Sequence, residues 1–124
     1  MATRTGRARA KQTWVWRWTA LTGAALLVLV AVHMVANHFV VESTGGLRSY
    51  RQVLEYVGNP IIVAIESLFL VVVTIHAMLG IRSVLFDLGF AERGRRRIER
   101  SLVVLGTLTV GYGLVLIGAL ASRG

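Results

Sequence analysis

Apolar residues fall into three long runs along this chain, separated by short polar stretches. The first spans Leu21–Val41 and the second Ile61–Leu85, and the third is free of charge from Ser101 to Ser122. About 18 or more apolar residues in a row can cross a bilayer as a helix. Three such runs in so short a chain leave almost no polar face for a soluble fold. The pattern predicts an all-α membrane protein with three transmembrane helices at about 16–41, 60–86 and 98–120. Residues 1–13 read as a basic arm, expected to be disordered until bound, and residues 14–124 as the three-helix membrane domain. The first run is too long for the core of a cleaved signal peptide and is expected to persist as the first helix.

Between the first two runs, Glu42-Ser43-Thr44-Gly45-Gly46 is a turn signal. In the following 47–58 segment, Leu47, Tyr50, Arg51, Leu54 and Val57 fall near one stripe, which predicts a short amphipathic helix on the outer surface. Asn59-Pro60 then opens the second spanning helix, since proline is tolerated in a first turn. Asp87-Leu88-Gly89-Phe90 ends it. Gly106, Gly111, Gly113 and Gly118 give the third helix a smooth surface for close packing in lipid.

Charge orients this layout. The formal net charge is +8. Arg4, Arg7, Arg9, Lys11, Arg17, Arg82, Arg93, Arg95, Arg96, Arg97 and Arg100 lie on one side of a three-span chain, against Arg48, Arg51 and Arg123 on the other. The positive-inside rule places the N-terminus and the second loop in the cytoplasm and the C-terminus outside. The Arg95–Arg97 run is then expected to face lipid headgroups or a partner subunit, not nucleic acid. Trp14, Trp16 and Trp18 mark the inner interface. One of them could also line a site beside a soluble partner. With no cysteine, the chain supplies no disulfide, thiolate ligand or iron–sulfur cluster.

Candidate chemistry rests on ionisable groups inside the runs, which are costly at bilayer depth. His33 and His76 lie in the first and second runs, and neutral imidazole is a common axial ligand of haem iron. Counting from Trp18 and Asp87 at 1.5 Å per residue puts His33 roughly 22 Å and His76 roughly 16 Å from the inner interface. Such depths favour two separate ligand positions, each completed by a histidine of another chain. A histidine hydrogen-bonded between helices is the competing reading for both. His38 belongs to the outer headgroup zone, where it faces solvent or meets a haem propionate or quinone headgroup. Gly80, four residues after His76, leaves room on the same face for a flat macrocycle. Arg82 is either a snorkelling anchor or a partner for a haem carboxylate. Asp87 is either a helix-end polar residue or a proton donor at the interface. Glu66, in the outer part of the second helix, is expected to hydrogen-bond to a neighbouring helix.

These residues resemble the membrane-anchor subunits of succinate dehydrogenase and fumarate reductase, respiratory complex II. Arg17-Trp18-Thr19-Ala20 is similar to the R-x-T-A or R-x-S-G opening of their first helix, and His33 with His38 to their H-x4-H. His76-x3-Gly80-Ile81-Arg82-x4-Asp87 looks like their H-x3-G-[IL]-R-x4-D stretch. The likeness covers about residues 14–120, and the absence of H-R-x-[ST]-G favours the D type over the C type.

The resemblance implies a prokaryotic plasma (inner) membrane subunit that pairs with a second anchor subunit and docks an iron–sulfur subunit and, through it, a flavoprotein. It implies one or two haem b groups shared with the partner anchor, and menaquinone or ubiquinone as substrate. It puts His76 and His33 at axial positions, Arg17, Arg82, Gly80 and His38 around the haem, and Asp87 and Trp16 near the quinone. Leu88 stands where many D-type anchors have a quinone-contacting tyrosine. Two other readings stay open: a small haem-b cytochrome of another quinone-linked dehydrogenase, and a non-redox membrane helper.

Overall fold

In the computed structural model, residues 4–39 and 49–123 are described. They form four helices: α1 (Arg4–Phe39), α2 (Tyr50–Val57), α3 (Pro60–Asp87) and α4 (Glu92–Ala121). The expected turn at Glu42–Gly46 lies outside the described residues. Helices α1, α3 and α4 are each long and apolar enough to cross a membrane.

Two boundaries move from their sequence-based positions. Helix α1 begins at Arg4, so the described part of the basic arm is helical. Arg, Ala, Lys and Gln dominate that segment, and all have high helix propensity. Its 36 residues extend about 54 Å, well beyond a hydrocarbon core of about 30 Å. Helix α4 begins at Glu92, about two and a half turns before the charge-free run, and ion-pairs Glu92 with Arg96 one turn on.

Local chemistry explains the other ends. Ser49 and Gln52 form a reciprocal capping box at the start of α2. The Asn59 side chain accepts from the Ile61 N–H at 2.9 Å, and Pro60 occupies the first turn of α3. After Asp87 the chain reverses through Leu88 and Gly89, whose φ of 80° suits glycine.

Helix α3 is central, with α1 and α4 packed antiparallel on either side of it. Gly106 and Gly113 of α4 admit side chains of α3: a Cβ at Gly106 would lie 3.2 Å from Met78 Cγ, and one at Gly113 would collide with Leu70. Helix α2 folds back over α3 and α4. Its buried residue is Tyr56, packed with Ile62, Ala36 and Val57, whereas Tyr50 is exposed. The buried face of α2 is therefore rotated toward Tyr56 and shares only Leu54 and Val57 with the stripe that apolar spacing defines. A phenol can fill an apolar contact and still reach a polar partner.

The layer is thin. Only 6%, 11% and 6% of the apolar windows of α1, α3 and α4 are buried within the chain. Among the described residues no side chain is completely buried. The apolar surface on both sides of the layer is available to lipid and to other subunits.

Candidate functional site

The contacts between α1 and α3 include two polar ones, one toward each end. At the arginine-rich half, His76 of α3 meets Thr22 of α1, with Nδ1 3.0 Å from Oγ1. At the other half, His33 of α1 meets Glu66 of α3. Eleven residues separate the pair on α1 and ten on α3, so the two sites are about 15 Å apart along the helices. The two histidines lie at different levels of the helix pair, further apart than the roughly 6 Å that counting from the helix ends gives.

His76 is half-buried and lightly held. Thr22 is buried beside it, and a Cβ at Gly23 would come within 3.3 Å of its Cε1, so the ring edge lies against the backbone of α1. Nothing lies within 4 Å of a Cβ built on Gly80. Gly80 and Asp87, four and eleven residues on, project from nearly the same face of α3 as His76. Asp87 closes the helix and is exposed.

His33 is tied into a polar cluster. Its Nδ1 is 2.8 Å from Glu66 Oε1 and 3.0 Å from Oε2. The Tyr56 hydroxyl donates a short hydrogen bond to the same Glu66 Oε1. Asn37 donates to the Tyr56 hydroxyl at 3.0 Å and to the His33 carbonyl at 2.8 Å. The imidazole also stacks on Phe69, with ring centres 5.0 Å apart. Four residues from α1, α2 and α3 thus meet around one carboxylate, and Glu66 makes the inter-helix hydrogen bond expected of it.

A third polar group lies at the arginine-rich end of α3. Arg82 donates to Glu99 Oε1 of α4 through Nη2 at 2.9 Å and Nε at 3.2 Å, and its guanidinium lies 4.2 Å above the Phe86 ring. Lys11 of α1 reaches the same oxygen at 3.4 Å. This bridge closes one end of an apolar groove of about 700 Å³ between α1 and α4, floored by α3 residues such as Thr74 and Met78. Arg82 lies about 120° round α3 from His76, on the groove side. The groove and the His76–Gly80 face are therefore separate surfaces.

The remaining candidates are dispersed. Trp16 and Arg17 are exposed on α1, and Trp16 borders a shallow depression with Arg9, Gln12 and Thr13. His38 is exposed in the last turn of α1. Among the described residues no group of three or more His, Cys, Asp or Glu side chains could hold a metal ion by itself. At His76 the donor is a single imidazole, which suits a macrocycle-bound metal and not a site built from protein ligands alone, whereas at His33 the imidazole is paired with the Glu66 carboxylate.

Sequence reasoning missed Thr22, Tyr56, Asn37 and Glu99. Glu99 had a signal: it is an acid among five arginines at a helix start, facing the arginine that ends the preceding span. Thr22 had none, because threonines in spanning helices commonly bond to their own backbone.

Three apolar spans, polar side chains meeting between them, and little mutual burial define a multi-pass helical membrane subunit built to pack against something else. The chain belongs to the succinate dehydrogenase/fumarate reductase transmembrane subunit family, whose model matches residues 2–116. It is similar to the succinate dehydrogenase hydrophobic membrane anchor subunit of Thermoplasma acidophilum, at 27% identity over 78% of this chain and 77% of the relative. It is likewise similar to that of Archaeoglobus fulgidus, at 28% identity over 82% and 85% of the two chains. No solved structure matches. The chain is thus a membrane anchor subunit of a succinate dehydrogenase or fumarate reductase complex, not its catalytic subunit.

Proposed function

We propose that this anchor holds haem b through His76 and helps form the quinone site of a succinate:quinone oxidoreductase in a prokaryotic plasma membrane. The observation that carries the reading is the setting of His76. It lies within a span, is held at one ring edge by α1, and has open space beside it at Gly80. Haem b, when bound, carries single electrons between the partner iron–sulfur subunit and quinone. This chain would present the imidazole, with Gly80 leaving room for the ring, and a histidine of the second anchor subunit would supply the other protein ligand.

Asp87 projects from the same face of α3 and ends at the exposed helix terminus, where a carboxylate can pass a proton to a quinone headgroup. Trp16 would border that site. The distribution of arginine favours a cytoplasmic position for this end of the bundle, where the iron–sulfur subunit docks and links to the flavoprotein. Arg82 is paired with Glu99, so its role is to join α3 to α4, and Arg17 is the more available partner for a propionate. His33 would serve a second haem through Nε2, with Glu66 holding Nδ1 and His38 nearby toward the outer surface.

The test is His76→Ala in the purified complex, read by optical spectrum and pyridine haemochrome. The variant is expected to lose at least one low-spin haem signal, and an unchanged spectrum removes the assignment. Failure of a covalent-flavin flavoprotein to co-purify with the chain would remove the succinate-linked role.

A further inference from the structure

We propose that Thr22 is the positioning residue of His76: its hydroxyl accepts a hydrogen bond from Nδ1–H, and so leaves Nε2 as the nitrogen free to coordinate. The inference rests on His76 being a ligand and adds how its tautomer and ring direction are set.

The hydrogen-bond distances favour one assignment. Thr22 Oγ1 lies 2.7 Å from the Trp18 carbonyl and 3.1 Å from the Thr19 carbonyl. Carbonyl oxygens only accept, and a hydroxyl has a single hydrogen. With that hydrogen on the shortest contact, to the Trp18 carbonyl, the 3.0 Å contact with His76 Nδ1 is donated by the ring. A neutral imidazole that carries its proton on Nδ1 has its lone pair on Nε2. A ring turned over would put Cδ2 in place of Nδ1 beside Thr22 and lose this hydrogen bond.

Thr22 also differs from the other threonines of the spans. Thr13, Thr19, Thr74 and Thr109 each bond to a carbonyl four residues back. Thr22 makes that bond and also accepts from another helix. Ligating histidines usually donate their second N–H to an acceptor that fixes the ring, and removing such an acceptor typically costs 10–100-fold in metal affinity or activity.

The experiment uses the purified assembled complex with Thr22→Val, Thr22→Ser and, as a control for loss of an exposed helix hydroxyl, Thr109→Val. The readouts are the low-spin haem EPR signal assigned by His76→Ala and the rate of haem transfer to apomyoglobin. Thr22→Val is expected to shift or split the signal and to speed transfer about 10-fold. Thr22→Ser and Thr109→Val are expected to match the unmodified complex. Thr22→Ala, which removes the hydroxyl without the bulk of valine, has the same expectation and replaces Thr22→Val where that variant does not assemble.

A hydroxyl-free variant with an unmodified signal and rate overturns the role of Thr22, as does a serine variant as impaired as the valine one. In both cases His76 stays the ligand. If the unmodified complex holds no haem, or His76→Ala leaves its spectrum intact, the ligand assignment itself falls.

Discussion

The two imidazoles within the membrane have opposite surroundings. His76 touches a single neutral hydroxyl and has open space one turn away. His33 is bound to a carboxylate, stacked on a phenyl ring and linked through Glu66 to a tyrosine and an asparagine. His76 has an unoccupied direction in which a ligand can sit, whereas His33 is bonded at Nδ1 and stacked, so its ring also ties the helices together. The same residue type at two depths of one helix pair thus leans toward binding at one level and toward architecture at the other.

Substitutions can break that contrast or sharpen it. The largest effect is expected from His76→Ala, which should abolish one low-spin haem signal and leave assembly of the complex intact. If it instead dissociated the complex while haem was retained by the assembled fraction, His76 would be structural and the contrast lost. Next comes Glu66→Ala, which leaves the His33 ring and the Tyr56 hydroxyl without their acceptor. It is expected to lower the stability of the complex by about 2–3 kcal/mol, measured as a fall in the denaturant midpoint in detergent. Loss of a second haem signal in His33→Ala would sharpen the picture, by showing that the clustered histidine also coordinates.

Smaller effects test the parts. Tyr56→Phe keeps the ring of α2 in place and removes one hydrogen bond, at an expected cost of about 1 kcal/mol in the same titration. A value near zero would mean that the phenol is no tie between α2 and the carboxylate. The least is expected of Lys11→Ala, since the Lys11–Glu99 pair is largely exposed. Such pairs contribute roughly 0.2–1 kcal/mol, and Arg82 keeps its own bonds to Glu99. A much larger loss would indicate that the overhanging turns of α1 depend on this bridge.

The three spans and the short surface helix could be read from sequence because apolar length and helix signals are local properties. His76, Gly80 and Asp87 could be placed together because helical spacing alone puts them on one face. Partners across helices were less accessible. That Arg82 faces Glu99 depends on the register between α3 and α4, which Gly106 and Gly113 set through contacts with Met78 and Leu70. Tyr56, and not Tyr50, turns inward because a half-buried carboxylate on α3 accepts its hydrogen. The extension of α1 to Arg4 runs against a reading based on polarity, since the same residues that disfavour a core are strong helix formers.

The thinness of the helical layer bears on how the cell must handle this subunit. A copy inserted alone would offer much of its apolar surface to chance neighbours, with Glu66 and His33 only partly screened from lipid. Its lifetime would then be set by how soon partner subunits cover it, and surplus copies would be natural prey for membrane quality-control proteases. Balanced synthesis with those partners is therefore a requirement written into the packing of the chain.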